Sequence, residues 1–235
     1  MTQWWRDIVF LHWRIDPGLL VGLLPRGVRP DVHGGSAWLG LIPFRMVDAG
    51  VGRRGPVPYL GTFLETNVRV YSVDAQGRRG VVFLSLEAPR SPVVLAARLG
   101  LGVPYRWATM RAVTRGQPQT LTYSSARRSM RHAGRAAGPS SRITVRVGAG
   151  IEQPTALDLF LTSRFGLHSS LLGRTLWVPN THAPWPLRSA TLLELDDELV
   201  EAAGVIGLVD RPPDSVLFSR GVRTTFGLPQ LLPRR

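Results

Sequence analysis

The sequence is 235 residues long, with 29 lysine-plus-arginine positions against 16 acids, a formal charge of +13 and 44% hydrophobic residues, enough to bury a core. Every one of those 29 positions is arginine and there is no cysteine, which excludes a lysine Schiff base, a cysteine nucleophile, disulfides and a thiolate zinc site. No apolar run approaches the roughly 18 residues of a membrane span, and the first residues lack the parts of a signal peptide, so a soluble cytoplasmic protein is expected.

Gly and Pro interrupt the chain at short intervals, and the segments between them are β-branched or aromatic and alternate, a β-rich signature. A first strand is predicted over Arg6–Arg14, with Arg6, Ile8, Phe10, His12 and Arg14 on one face. Asp16-Pro17 reads as the N-cap and first residue of a short helix ending before Pro25. Ser36–Val47 is a second strand and Thr62–Val73 a third. The turn Asp74-Ala75-Gln76-Gly77 leads as a hairpin into a fourth, Gly80–Glu87. Ser91-Pro92 starts a helix that runs to Gly100 and Gly102. Strands over Tyr105–Thr114, Gln119–Ser125 and Arg142–Val147 follow, then a helix over Thr155–Ser163. A last helix over Asp196–Ala203 has an acidic first turn, and strands over Ser215–Ser219 and Val222–Phe226 close the chain. Without repeats or a dividing linker, the expectation is one β-dominated α+β domain over residues 1–235, a barrel-like sheet with a few helices packed outside.

Several motifs do not hold up. Gly50-Val51-Gly52-Arg53-Arg54-Gly55 has the spacing of a dinucleotide fingerprint, but Pro56 and Pro58 follow where that fingerprint must open a helix, so it reads as a turn. His12, His33, His132, His168 and His182 lack metal-ligand spacing, and neither metal nor cofactor is expected. The densest basic group, Arg127, Arg128, Arg131, Arg135 and Arg142, lies in a small-residue stretch without a recognition helix or an aromatic-basic strand. It reads as an arginine-rich surface, and nucleic acid is not an expected partner.

The third strand carries the chemistry. Phe63, Glu65, Asn67, Arg69 and Tyr71 alternate onto one face, and Leu64, Thr66, Val68 and Val70 onto the other, which is core. Alternation alone favours a solvent-facing surface with an ordinary Glu–Arg pair. Two details favour a cavity wall: aromatics bracket the polar trio, and Asn67 is one of only two asparagines in the chain. The other is Asn180, in the polar and aromatic run Asn180-Thr181-His182-Ala183-Pro184-Trp185-Pro186, which reads equally as a proline-rich turn or a pocket rim. Tyr105, Trp107, Thr109 and Arg111 alternate onto one face of a later strand, where packing aromatics are the plain alternative.

Together these segments resemble the YqjF-like bacterial family. The matching runs are Phe10-Leu11-His12-Trp13-Arg14 with Asp16-Pro17, Leu24-Pro25, Ala37-Trp38-Leu39-Gly40-Leu41 with Pro43-Phe44, Phe63 through Tyr71, Ala97-Arg98, Pro104-Tyr105, and His182 with Pro184-Trp185-Pro186-Leu187. That family resembles acetoacetate decarboxylase in fold, which implies a curved, mostly antiparallel sheet around an interior pocket. In that enzyme a buried lysine beside a second lysine forms a Schiff base with a β-keto acid. The resemblance puts Tyr105 at the nucleophile's position, Arg106 at its neighbour's, Glu65 at a pocket glutamate and Arg6 at a substrate-side arginine. A second active-site glutamate falls near Gly40, where this chain has no acid. The scaffold is kept and the decarboxylation chemistry is not.

Two classes of function follow. A binding protein would hold a small polar or anionic metabolite between Glu65, Asn67, Arg69, Tyr105 and Arg6, an arginine clamping a carboxylate, with Tyr71, Arg106, His182 and Trp185 as further ligand-binding candidates. A non-covalent enzyme would use Glu65 as base and Tyr105 as acid on an enolisable keto acid. A surface binder of anions through its arginines is the weakest option. A homo-oligomer is compatible with all three.

Overall fold

The computed structural model describes residues 1–50, 61–89, 100–128 and 138–233. Thirteen strands form one sheet. In chain order they are β1 (Thr2–Ile15), β2 (Val28–Pro30), β3 (Ala37–Gly50), β4 (Phe63–Asp74), β5 (Arg79–Ala88), β6 (Tyr105–Arg115) and β7 (Thr120–Arg127). Then come β8 (Ser140–Gly150), β9 (Gly166–Leu171), β10 (Arg174–His182), β11 (Leu187–Asp197), β12 (Ser215–Phe226) and β13 (Gln230–Leu231). The described residues also include two short helices, α1 (Ala156–Thr162) and α2 (Leu199–Ala202), a 3-10 turn over Pro17–Leu20, and helical residues at 100–101. No helix among the described residues is long and apolar enough to cross a membrane.

Pairing closes the sheet on itself twice. β5 pairs with β6 through Leu86–Ala88 and with β9 at Val81, both parallel, while every other pairing is antiparallel. β12 likewise divides, its first half against β11 and its last residues against β10. The strands β12-β1-β3-β4-β5 therefore form a wall shared by two circuits, one completed by β6, β7, β8 and β11 and the other by β9 and β10. Each wall strand sends alternate side chains into each circuit. Val9, Leu11, Trp13, Leu39, Leu41, Val68 and Val70 join Leu121, Ile143 and Val145 in the core of the first. Ile8, Phe10, Ile42, Phe44, Trp38, Tyr71 and Leu86 face the second, with Val178 and Leu167 opposite. Strands buried on both sides need no wet face, which is why β4 departs from the one-face-polar expectation.

The hairpin β4–β5 forms as expected, and Asp74 Oδ1 accepts from the backbone N–H groups of Gln76 and Arg78 to hold its turn. Asp16 caps its turn by accepting from Gly18 N–H at 2.7 Å, though the turn stops at Leu20. Thr155 and Asp158 cap α1 reciprocally. Three expectations need correction. The acidic first turn assigned to a helix over Asp196–Ala203 is the end of β11, because Asp196 and Asp197 pair with Arg142 and Ser141, and α2 begins at Leu199. The two closing strands are one, β12, bent at Gly221, where φ is 117° and a Cβ would lie 1.8 Å from the Trp5 carbonyl oxygen. Asn180–His182 continues strand β10 rather than forming a turn. β2, β9, β10, β11 and β13 have no counterpart in the sequence reading. Of the helix from Ser91-Pro92, residues 91–99 lie outside the described residues and residues 100–101 are helical; all but the first residue of the Gly50–Gly55 motif also lies outside them.

Candidate functional site

The second circuit encloses a cavity of about 240 Å³. Its walls are largely aromatic and aliphatic, from Trp5 and Ile8 of β1, Phe44 and Met46 of β3 and Phe226 of β12, and the polar groups come mostly from β4. Phe63, Glu65, Asn67 and Arg69 alternate into it, so the strand's spacing builds the site directly. β5 reaches it through a bulge: Val68 pairs with Ser85 but Arg69 pairs with Phe83, and the extra residue puts Phe83 and Leu86 on the same side. Tyr105 enters at the start of β6, where that strand leaves β5.

Glu65 is 3% exposed, and its Oε2 accepts from the Tyr105 hydroxyl at 2.9 Å. Burial pushes its carboxyl up to about 7, against the smaller opposing effects of hydrogen bonds from Tyr105 and Asn67. Among the described residues no cation lies within ion-pairing distance of it. Burial, together with the adjacent carboxylate, holds the Tyr105 phenol well above its ordinary value, so the phenol stays protonated and serves only as a donor to Glu65. The pair therefore sets a carboxyl that titrates near neutrality against a phenol that keeps its proton, each on a different strand.

Arg69 lies deeper. Its Nη2 donates to the Tyr71 hydroxyl and to the Leu161 carbonyl, both at 3.2 Å, and its Nε has no partner. The Tyr71 hydroxyl also donates to Leu161 O at 2.8 Å and lies 2.6 Å from His12 Nε2. Arg69 and Tyr71 both donate to a single carbonyl at the C-terminal end of α1, that of Leu161, where the helix leaves such groups unpaired and where a cation is favoured. Burial, and then the charges of Arg69 and Arg164, hold His12 well below its ordinary value and therefore neutral.

Of the nine residues singled out from sequence, Glu65, Asn67, Arg69 and Tyr105 meet at the cavity. The other five do not line it. Tyr71 lies beneath it as the anchor of α1. Arg106 is exposed. Arg6 is exposed as well, its guanidinium 4.4 Å from the Trp4 ring centroid. The cause is a bulge at Asp7, whose φ is 51°: Gln3 and Trp5 face in before it and Ile8 after it, so period-two counting from Ile8 assigns Arg6 to the wrong side. Trp185 stacks on Trp5 at 5.9 Å and donates from Nε1 to Thr162 O, and His182 packs on Phe165 at 4.9 Å. Both buttress Trp5 from behind. The sequence reading missed Gln3 and Trp5, which the bulge hides, and Phe83, Leu101, Val103 and Phe226, which carry no chemical signature of a site. At Gly40 a Cβ would meet the His12 ring and the Ile42 side chain at 3.1–3.2 Å, a tight approach that a side chain could take only if these neighbours shift. In the basic group, Arg127 forms a bidentate pair with the buried Glu87, and Arg142 pairs with Glu194. Arg131 and Arg135 lie outside the described residues.

A family model for DUF2071, an uncharacterized conserved protein, matches residues 2–223. The uncharacterized protein YqjF of Bacillus subtilis (strain 168) is 29% identical over 205 residues, 87% of this chain and 82% of that one. Among solved structures, acetoacetate decarboxylase from Legionella pneumophila superposes with a TM-score of 0.67 at 14% identity, over 99% of this chain and 87% of the other. An acetoacetate decarboxylase-like enzyme from Sphingomonas wittichii RW1 gives 0.63 at 17%, over 99% and 92%. The enduracididine biosynthesis enzyme MppR complexed with pyruvate gives 0.62 at 17%, over 98% and 89%. These likenesses establish the acetoacetate decarboxylase-like fold.

Proposed function

We propose that this chain, which belongs to the DUF2071 family, binds a small polar or anionic organic molecule in the cavity at Glu65, Asn67, Arg69 and Tyr105. The observation that carries this reading is the state of Glu65. A structural buried carboxylate is ordinarily neutralised by a cation; this one faces an interior cavity with a phenol as its partner and no ion pair among the described residues. A carboxylate or keto acid fits the opposite requirement, with Arg69 supplying charge and the aromatic walls covering the carbon skeleton. That a structural relative was obtained with pyruvate supports the same class.

The expected behaviour is linked to protons. A bound anion favours the neutral form of Glu65, so binding takes up a proton, and affinity falls as pH rises through about 7. Calorimetric titration of pyruvate and its short-chain homologues between pH 6 and 8, in two buffers of different ionisation heat, reads this directly. Affinity independent of pH, or the absence of binding across the series, contradicts the reading.

A second reading is favoured by the value near 7, which suits a general base. Glu65 removes a proton next to the substrate carbonyl, Tyr105 donates to the developing oxyanion, and no covalent intermediate forms. The test is exchange of pyruvate methyl protons in D2O followed by NMR. Catalysed exchange that rises with pH through about 7 and falls on the order of a hundredfold in Glu65→Gln supports it. Binding without exchange leaves the protein a binder only.

A further inference from the structure

Most buried polar atoms in a folded protein find a hydrogen-bond partner, so a group of unpaired ones in one place calls for an occupant. The second circuit holds such a group at the end away from Glu65. Gln3 is 3% exposed, lines the cavity, and its Oε1 has no partner. Asn180, 6% exposed, and Thr224, fully buried, have unpaired Oδ1 and Oγ1 atoms. The register brings these three together. Gln3 is opposite Thr224 in the β1–β12 pair, Thr224 is opposite His182 and Phe226 opposite Asn180 in the β12–β10 pair. Residues directly opposite share a face, as do residues two apart, so all three are on the same side as Phe226; Gln3 and Phe226 line the cavity, and Asn180 and Thr224 lie beside them without lining it. Trp5, two residues from Gln3, also lines the cavity with a buried and unpaired Nε1–H.

These atoms lie well apart from the Glu65 end. Phe44 pairs with Glu65, and its neighbour Arg45 pairs with Arg6, so Gln3 lies about four residues along β1 from the Glu65 level. That is roughly 13 Å at about 3.3 Å per residue. Aromatic and aliphatic side chains line the stretch between.

We propose that Gln3, Asn180 and Thr224 form a second polar subsite, and that the ligand is an elongated acid bearing a hydroxyl group at the end remote from its carboxylate. The inference rests on the reading of Glu65 and Arg69 as the head-group end. With the ligand bound, its hydroxyl donates its one proton to the Gln3 carbonyl oxygen, the Thr224 hydroxyl donates to that of Asn180, and the Trp5 N–H donates to the ligand's oxygen. A group that both donates and accepts satisfies this set, whereas an ammonium leaves the Trp5 N–H unpaired and a methyl leaves both the Gln3 oxygen and the Trp5 N–H unpaired.

The experiment compares octanoate, 8-hydroxyoctanoate and 8-aminooctanoate by calorimetry on the full chain at pH 6.5, for the wild type, for Gln3→Leu with Asn180→Leu, and for Asn67→Leu at the head end. The expected result is tighter binding of 8-hydroxyoctanoate than octanoate by about tenfold or more in the wild type. In the double variant that preference disappears while octanoate still binds; in Asn67→Leu both acids weaken together and the preference remains. The preference is a ratio measured on one protein sample, so a general loss of stability does not imitate it. Equal binding of the two acids, with both weakened by Asn67→Leu, overturns the second subsite and leaves the head-group reading standing. A hydroxyl preference lost in the double variant, with no effect of Asn67→Leu, keeps the subsite and overturns the head-group reading. Preference for 8-aminooctanoate overturns the assignment of a hydroxyl, and binding of none of the three overturns the inference.

Discussion

Glu65 is a buried acid that keeps its proton until about pH 7, and this has a consequence for stability as well as binding. Its carboxyl is raised in the folded chain above the ordinary 4.5, so between about 4.5 and 7 the folded state holds more protons than the unfolded one. Stability from this group is therefore fully present below pH 4.5, falls as pH rises to about 7, and is level above it. Glu65→Gln keeps an acceptor for the Tyr105 hydroxyl and removes the titration. At pH 8 it is expected to be more stable than the wild type by up to about 3 kcal/mol, and at pH 4 nearly equal, as read by chemical denaturation. Greater stability of the wild type at pH 8 contradicts this. At the neighbouring position, Tyr105→Lys is expected to release no carbon dioxide from acetoacetate. The chain has no second lysine to lower the new amine's pKa, and it carries no acid in the stretch around Gly40. Robust decarboxylation by that variant contradicts the account of the site.

At the scale of elements, β4 was legible because period-two alternation is unbroken along it, and a run of Glu-x-Asn-x-Arg between aromatics stands out from any ordinary wet face. β1 was not, because one residue, Asp7 at φ 51°, reverses the side to which every earlier side chain points. That reversal moved Arg6 out and brought Gln3 and Trp5 in. A bulge of this kind has no local composition signal here, since its partner across the ladder is what accommodates it. That partner is Gly221, opposite Arg6. Gly221→Ala would force a side chain into a positive-φ bend against the Trp5 carbonyl, and is expected to cost about 3 kcal/mol and to disturb the Trp5 end of the cavity. A thermal melt together with Trp fluorescence reads both; an unchanged melting temperature contradicts the role given to the bend. β9, β10 and β11 went unread because their turns, such as Leu172-Gly173, were not set off by clear alternation on either side. α1 was expected over Thr155–Ser163, and the structure adds the capping box that holds its start. Thr155→Ala is expected to cost about 1 kcal/mol, measured by denaturation, and no loss would mean the capping box contributes nothing.

For the molecule as a whole, the shared wall explains how one sheet supplies both a solid core and a cavity. The circuit completed by four strands is filled mainly by Leu, Val and Ile; the smaller one mixes aliphatic side chains with a larger share of aromatic ones and leaves space between them. Because β12-β1-β3-β4-β5 belong to both, we expect the chain to unfold in one cooperative step, and two separated calorimetric transitions would argue for two units. The fold class was legible from strand content and the resemblance, but the double closure was not, since it depends on β5 and β12 each dividing between two partners. The cavity that this closure creates is also what lifts Glu65. Its titration is therefore the most direct test of the account: the carbon-13 carboxyl signal that is present in the wild type and missing from Glu65→Gln, followed from pH 3 to pH 9. A midpoint at about 7 is the predicted result, and a midpoint at the ordinary 4.5 would contradict both the burial of Glu65 in the cavity and the chemistry assigned to it.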